Sequence, residues 1–193
     1  MGRPTTGDAE RELVLDVVLE ILDDEGSDAV RVRDVAERSR VSSKTIYKLF
    51  GTRDDLIIDA VARFMRLVVY ANFSLPEADE SIYDATVRAA KAMFTPFEQH
   101  PRMLEAFHQA RSGPGGDRLN EAGRAAAYRV RDNLVRQEDA AYNRDYEEIL
   151  ENVFTGLVTR YVQGRIELQD IVPTIERVVA RLALAHEPNR TFA

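Results

Sequence analysis

Between Ala9 and Glu25 the apolar residues Leu13, Val14, Val17, Val18, Ile21 and Leu22 fall in two adjacent rows spaced four apart. That is the stripe of an amphipathic helix, and Gly26 supplies its stop. A short second helix is expected over about Arg33 to Arg38, burying Val35 and Ala36, followed by a turn of three or four residues. A third helix then opens after Ser42, whose hydroxyl suits an N-cap. Within it Ile46, Leu49 and Phe50 share one face, which leaves Ser43, Lys44, Tyr47 and Lys48 pointing away from a core. Thr52-Arg53-Asp54-Asp55 reads as a capping box with a carboxylate where glutamate is usual. A stripe of Leu56, Ile57, Ala60, Val61, Phe64, Leu67 and Val68 continues a fourth helix toward Ala71. Ser74 to Asp79 is a polar, proline-containing connection. Beyond it, helices are expected at about Ile82 to Gln99, Pro101 to Arg111, Leu119 to Gln137, Asp145 to Gln163 and Ile171 to Ala185. Ser112-Gly113-Pro114-Gly115-Gly116 is expected to be a strongly flexible loop. No stretch alternates with period two over a strand length and no internal repeat is visible, so the pattern predicts an all-α chain.

Composition adds bounds. With 45% hydrophobic and 31% charged residues among 193, the chain has enough apolar material for a real core. No apolar run approaches the ~18 residues of a membrane-crossing helix, and none is expected. The first residues, Met1 to Asp8, lack the apolar stretch of a secretory signal and read as a short flexible arm, so a cytoplasmic location is expected. The absence of cysteine excludes disulfides and thiolate metal sites.

A formal net charge of −7 argues at first against nucleic acid, because a phosphate backbone repels an acidic partner. Distribution changes the picture. From Arg31 to Arg53 the cations are Arg31, Arg33, Arg38, Arg40, Lys44, Lys48 and Arg53, seven against the two acids Asp34 and Glu37; that segment carries +5 and the remainder −12. A small cationic surface on an acidic body is how a DNA-reading module looks, although a charged segment is by default a solvated face.

Three helices with a basic, polar, exposed third member meet the geometry of major-groove reading, since a groove ~12 Å wide admits a helix whose side chains reach base edges. Val32-Arg33-Asp34-Val35-Ala36-Glu37-Arg38, then Val41-Ser42, then Thr45-Ile46-Tyr47-Lys48-Leu49-Phe50, then Arg53-Asp54-Asp55-Leu56, resembles the TetR-family signature over helices two to four. The resemblance implies that Lys44 and Thr45 lie near base edges and that Tyr47, Lys48 and Arg53 hold phosphates of a double-stranded operator, with Ser42, Ser43 and Arg33 as further contacts. Taken one at a time, Tyr47 could simply cover the core edge, and Lys48 or Arg33 could be solvated. Three positions depart from the family pattern: Arg40 stands where a turn glycine is usual, Arg31 where helix two usually has a threonine or serine cap, and Arg53 where lysine is usual. Arg40 must therefore adopt a left-handed conformation or the turn must be remodelled.

In the larger half, Ile149, Leu150, Val153, Phe154, Leu157, Val158, Tyr161 and Val162 spread over most of one helix's circumference, so that helix must be buried on two sides. The last helix, with Ile171, Ile175, Val178, Val179, Leu182 and Leu184, is similarly apolar. The periodicity permits a four-helix homodimer interface or a monomer core; the resemblance implies the homodimer. Phe64, Met93, Phe97, Met103, Phe107, Tyr128 and Phe154, with Met65 and Phe94 nearby, could line a pocket for a small apolar molecule, although such stripes fill cores more often than they form pockets. The resemblance implies that an effector among these helices displaces helix four and changes the spacing of two reading heads. The segment Pro101 to Phe107 and the glycine-rich loop after it resemble actinobacterial regulators of sterol and lipid catabolism.

The expected organisation is an N-terminal helix-turn-helix DNA-binding domain with its arm over 1–52 and a helical effector-binding and dimerisation domain over 53–193. No catalytic residue, metal site or cofactor is expected. His100 and His108 lie eight apart with Pro101 between them, and the Gly113 to Gly116 loop lacks the lysine and serine of a phosphate cradle. The function read here is a ligand-responsive repressor. The alternatives are a helical adaptor of the same fold without DNA binding, and an enzyme.

Overall fold

The computed structural model describes residues 6–74, 80–131 and 140–186, and every regular element among them is helical. The order is α1 (Thr6–Asp24), α2 (Val32–Ser39), α3 (Ser43–Phe50), α4 (Arg53–Phe64), α5 (Ile82–Gln99), α6 (Pro101–Ser112), α7 (Asp117–Arg131), α8 (Ala140–Val162) and α9 (Ile171–His186). The all-α reading holds, and α5 has the expected bounds. The arm before residue 6, most of the proline-containing connection and the end of the expected seventh helix lie outside the described residues.

The helices group into two packing units, one from Met1–Val68 with Gln99–Ala122 and the other from Val69–Glu98 with Gly123–Ala193. In the first, α1 is the hub. Its Val14, Val18, Ile21 and Leu22 are fully buried, and it packs against α2, α3, α4 and α6. Gly26 at φ 85° ends the helix as expected, with the Ile21 carbonyl accepting from both Glu25 and Gly26. A 3-10 turn at Ser27–Ala29 then delivers Val30 into the core.

The fourth helix departs from its predicted stripe. After Phe64 the backbone widens into a π-helical segment over Met65–Val69, followed by a 3-10 turn at Tyr70–Asn72. One extra residue per turn rotates the apolar face. Met65 and Val69 are therefore buried, whereas Leu67, placed on the stripe by a regular 3.6-residue period, is 53% exposed.

The glycine-rich loop, expected to be flexible, forms a tight turn. Gly116 donates to the Gly113 carbonyl at 3.1 Å, and Leu119 donates to Gly116 at 3.0 Å. A Cβ on Gly116 would sit 2.1 Å from the Arg111 carbonyl oxygen, and Gly115 has φ 82° with Ile58 3.2 Å from where its Cβ would be. These glycines serve close approach and positive φ. Arg118, at the start of α7, then reaches Asp55 (2.8 Å) and Asp59 (3.2 Å) on α4.

In the second unit α9 buries Ile171, Ile175, Val179 and Ala183, one residue every four. It packs on α8, which buries Leu150, Leu157 and Val158. The Thr86 hydroxyl meets the Tyr146 hydroxyl at 2.7 Å, and Lys91 pairs with Glu176 at 3.0 Å, tying α5 to α8 and to α9. Ile149 stays 40% exposed. With Asp145, Glu148, Asn152 and Val153 it lines an open surface groove of about 520 Å³ along α8.

Candidate nucleic-acid interface

The third helix is short, and tertiary anchors compensate for its length. Ser42 caps it: its oxygen accepts from the Thr45 amide at 3.1 Å and shares a 2.9 Å bond with the Thr45 hydroxyl. Ile46 (1% exposed) and Phe50 (7%) pin one face against the core, and Gly51 at φ 86° ends the helix. The opposite face carries Lys44, Tyr47 and Lys48, all exposed, with Ser43 half-buried beside them. Thr52 caps α4 through the Asp55 amide at 3.0 Å, but the box is not reciprocal. Asp55, one methylene shorter than glutamate, accepts a hydrogen bond from the Thr52 hydroxyl at 2.6 Å, and the Thr52 amide donates to the Phe50 carbonyl.

The turn between α2 and α3 resolves the open question at Arg40. It sits at φ 58°, ψ 21°, left-handed, and among the described residues it is the sole non-glycine with positive φ. That conformation costs an L-residue with a Cβ roughly 1–2 kcal/mol. At the other end of α2, Arg31 occupies the N-cap and makes no side-chain cap bond.

The cations of this region sort by partner. Arg38 pairs with Glu25 at 3.0 Å, and Arg63 of α4 holds Glu12 and Asp16 of α1. Arg53, expected at a phosphate, donates from Nε to the Val30 carbonyl at 2.7 Å and from a terminal nitrogen to the Ser27 carbonyl, with Asp54 at 3.4 Å. Its guanidinium therefore stitches the start of α4 to the turn after α1. By contrast Arg31, Arg33, Arg40, Lys44 and Lys48 are exposed, and their side chains make no hydrogen bond or ion pair with the described residues. An unpaired cation keeps its full attraction for an external anion, whereas a paired one must first give up its partner.

Sequence reasoning missed Arg11. From α1 it donates to the Leu49 carbonyl at 3.1 Å, lies 4.5 Å from the Phe50 ring centroid and pairs with Asp59 of α4. It thus fastens the end of α3 to α1 and α4. Its partners lie 38 and 48 residues along the chain, so no local pattern pointed to them.

The seven pocket candidates divide between the two units. In the first, Met103 (1% exposed) and Phe64 (7%) are buried and Phe107 is half-buried, with the His100 ring edge-on to Phe64 at 5.6 Å. In the second, Phe97 is buried and Met93 half-buried, and half-buried Phe154 stacks on Phe94 at 5.9 Å. The side chain of Tyr128 lies outside the described residues. Among the described residues no group of three or more His, Cys, Asp or Glu is placed to hold a metal, and no helix is long and apolar enough to cross a membrane.

A buried three-helix unit presenting a capped, cation-bearing third helix defines a helix-turn-helix DNA-binding protein. Residues 14–60 match the family model for bacterial regulatory proteins of the tetR family, and residues 80–182 match the tetracyclin repressor-like C-terminal domain. The chain belongs to the TetR family of transcription regulators, which are transcription factors and not enzymes. Solved structures agree on the fold. A TetR transcriptional regulator from Rhodococcus sp. RHA1 superposes with TM-score 0.70 at 20% identity, covering 90% of this chain and 95% of its own. A tetR-family regulator from Streptomyces coelicolor gives 0.66 at 18% identity over 97% and 86%. A putative family member from Mesorhizobium loti gives 0.63 at 12% identity over 94% and 98%. No functionally curated protein matches the sequence.

Proposed function

We propose that this chain works as a cytoplasmic homodimeric repressor that leaves its double-stranded operator when a small apolar molecule binds. The observation that carries the DNA part is the cluster of exposed, unpartnered cations on α2 and α3 of an otherwise acidic protein. Lys44 and Thr45 read base edges, Tyr47 and Lys48 hold phosphates, and Arg33, Ser42 and Ser43 add contacts to the backbone. Arg53 acts as a positioning residue, since its guanidinium already serves two carbonyls. A single reading head binds weakly, whereas two heads on paired half-sites multiply affinity. The exposed Ile149 groove on α8 supports α8 and α9 as the dimer face. Residues up to 52 serve the reading role and those from 53 the effector and dimer roles. Effector contacts are proposed within each unit taken by itself: Phe64, Met103 and Phe107 are the candidates in the first, and Met93, Phe97, Tyr128 and Phe154 those in the second. An effector acts only through its preference for one dimer geometry over another.

The test is a salt titration of binding to the chromosomal DNA upstream of its own gene. Affinity should fall by orders of magnitude between ~50 and ~200 mM salt. Lys48→Ala should weaken binding about equally on all sequences and reduce the log–log slope by about one. Lys44→Ala or Thr45→Ala should instead change sequence preference. A purified protein without salt-sensitive association with any duplex, with or without candidate inducers, would end this reading.

A further inference from the structure

Arginine is a poor choice, on local grounds, at both ends of α2. At the N-cap a side chain should accept a hydrogen bond from the first free amides, and a guanidinium has no acceptor. Arg31 accordingly makes no cap bond, and it places a cation at the positive end of the helix dipole. At the other end, Arg40 holds a left-handed backbone that glycine would adopt without penalty. Serine at 31 and glycine at 40 would each be better for folding, yet both sites carry arginine. Neither arginine has a partner among the described residues, and both are exposed. Four other arginines of the same unit are tied down: Arg11 to Asp59, Arg38 to Glu25, Arg63 to Glu12 and Asp16, and Arg118 to Asp55 and Asp59. Arg66 and Arg102 are exposed like Arg31 and Arg40 but sit at helical positions. Residues held in unfavourable backbone or cap positions point to a role outside the fold.

We infer that Arg31 and Arg40 are further phosphate contacts, extending the cationic face of Arg33, Lys44 and Lys48 to both ends of α2. The inference rests on the DNA-binding reading above and deepens it. Phosphate is the partner the chemistry favours, because a guanidinium binds its oxygens by two parallel bonds. Such contacts set register and affinity without reading sequence.

The proposal makes stability and affinity move in opposite directions. In the full chain, Arg31→Ser and Arg40→Gly should each raise the melting temperature by ~2–4 °C. Each should also weaken binding to a random-sequence duplex and to the upstream fragment by the same factor, with the salt slope falling by ~0.9 per variant and by about twice that in the double variant. Arg40→Lys should keep the slope, since it keeps the charge. Arg102→Ala, which removes an exposed cation on α6, controls for net charge and should leave the slope unchanged. The inference is overturned if the wild-type protein shows its slope but Arg31→Ser and Arg40→Gly leave it unmoved, if Arg102→Ala lowers it equally, or if the loss depends on sequence. A wild-type protein with no slope would instead remove the DNA-binding reading itself.

Discussion

At Ser42 one oxygen holds the start of the reading helix, accepting the Thr45 amide and meeting the Thr45 hydroxyl. Ser42→Ala should destabilise the fold by about 1 kcal/mol, seen as a melting temperature lower by ~2–4 °C. Ser42→Asp should restore the cap and the melting temperature while still weakening DNA binding, because on the proposed DNA face its charge would lie against the phosphates that Lys44 and Lys48 attract; equal DNA affinity for the Asp and wild-type proteins would place Ser42 away from the duplex. His108 offers a pH prediction. Burial, helped by the nearby Arg111 charge, lowers its pKa from 6.5. The unfolded chain therefore takes up the proton first. Stability from this site is complete above about 6.5 and declines as pH falls from there through the lowered folded value. Urea melts across that window should show the decline in the wild-type protein and a flatter profile in His108→Gln. An unchanged profile would assign the pH dependence to other groups.

Among the elements, α4 is joined on both flanks through one carboxylate. Asp59 accepts from Arg118 of α7 and from Arg11 of α1, and Arg11 in turn holds the Leu49 carbonyl and covers Phe50 at the end of α3. Asp59→Asn should cost about 1–3 kcal/mol, because two guanidinium groups lose a charged acceptor. It should also speed amide hydrogen exchange in α3, to which Asp59 is linked through Arg11. Exchange in α3 at the wild-type rate would show that the bridge carries no load there. The loop that feeds α7 has no slack either. Gly116→Ala drives a methyl into the Arg111 carbonyl, so a drop of about 1–3 kcal/mol is expected from denaturant melts. A neutral result would mean that the turn can open.

For the molecule as a whole, charge is uneven: an acidic protein of net −7 carries five exposed cations, Arg31, Arg33, Arg40, Lys44 and Lys48, on and beside α2 and α3, their side chains without a partner among the described residues. That arrangement concentrates attraction for an external anion in one short stretch of an otherwise acidic chain. The apolar exposure on α8 belongs to the same scale, because a groove lined by Ile149 and Val153 gains most from a partner surface. Ile149→Glu should shift sedimentation toward the monomer and lower operator affinity by ~10²-fold or more through lost avidity. The melting temperature measured at low protein concentration should change little. A variant that remains dimeric would move the interface elsewhere.

Much of this protein was legible along the chain. The helices, the Gly26 stop, the Ser42 cap and the exposed Lys44, Tyr47 and Lys48 face follow from spacing over a few residues, where backbone hydrogen bonding and amphipathic period act locally. Folding in three dimensions decided the rest. Arg53 looked free until the carbonyls of Ser27 and Val30 came within its reach. The π-helical widening after Phe64 replaced Leu67 with Met65 and Val69 on the buried face. Arg11 acquired partners 38 and 48 residues away. Which acceptor a long side chain meets depends on packing that brings distant segments together, and no spacing rule along the chain encodes it.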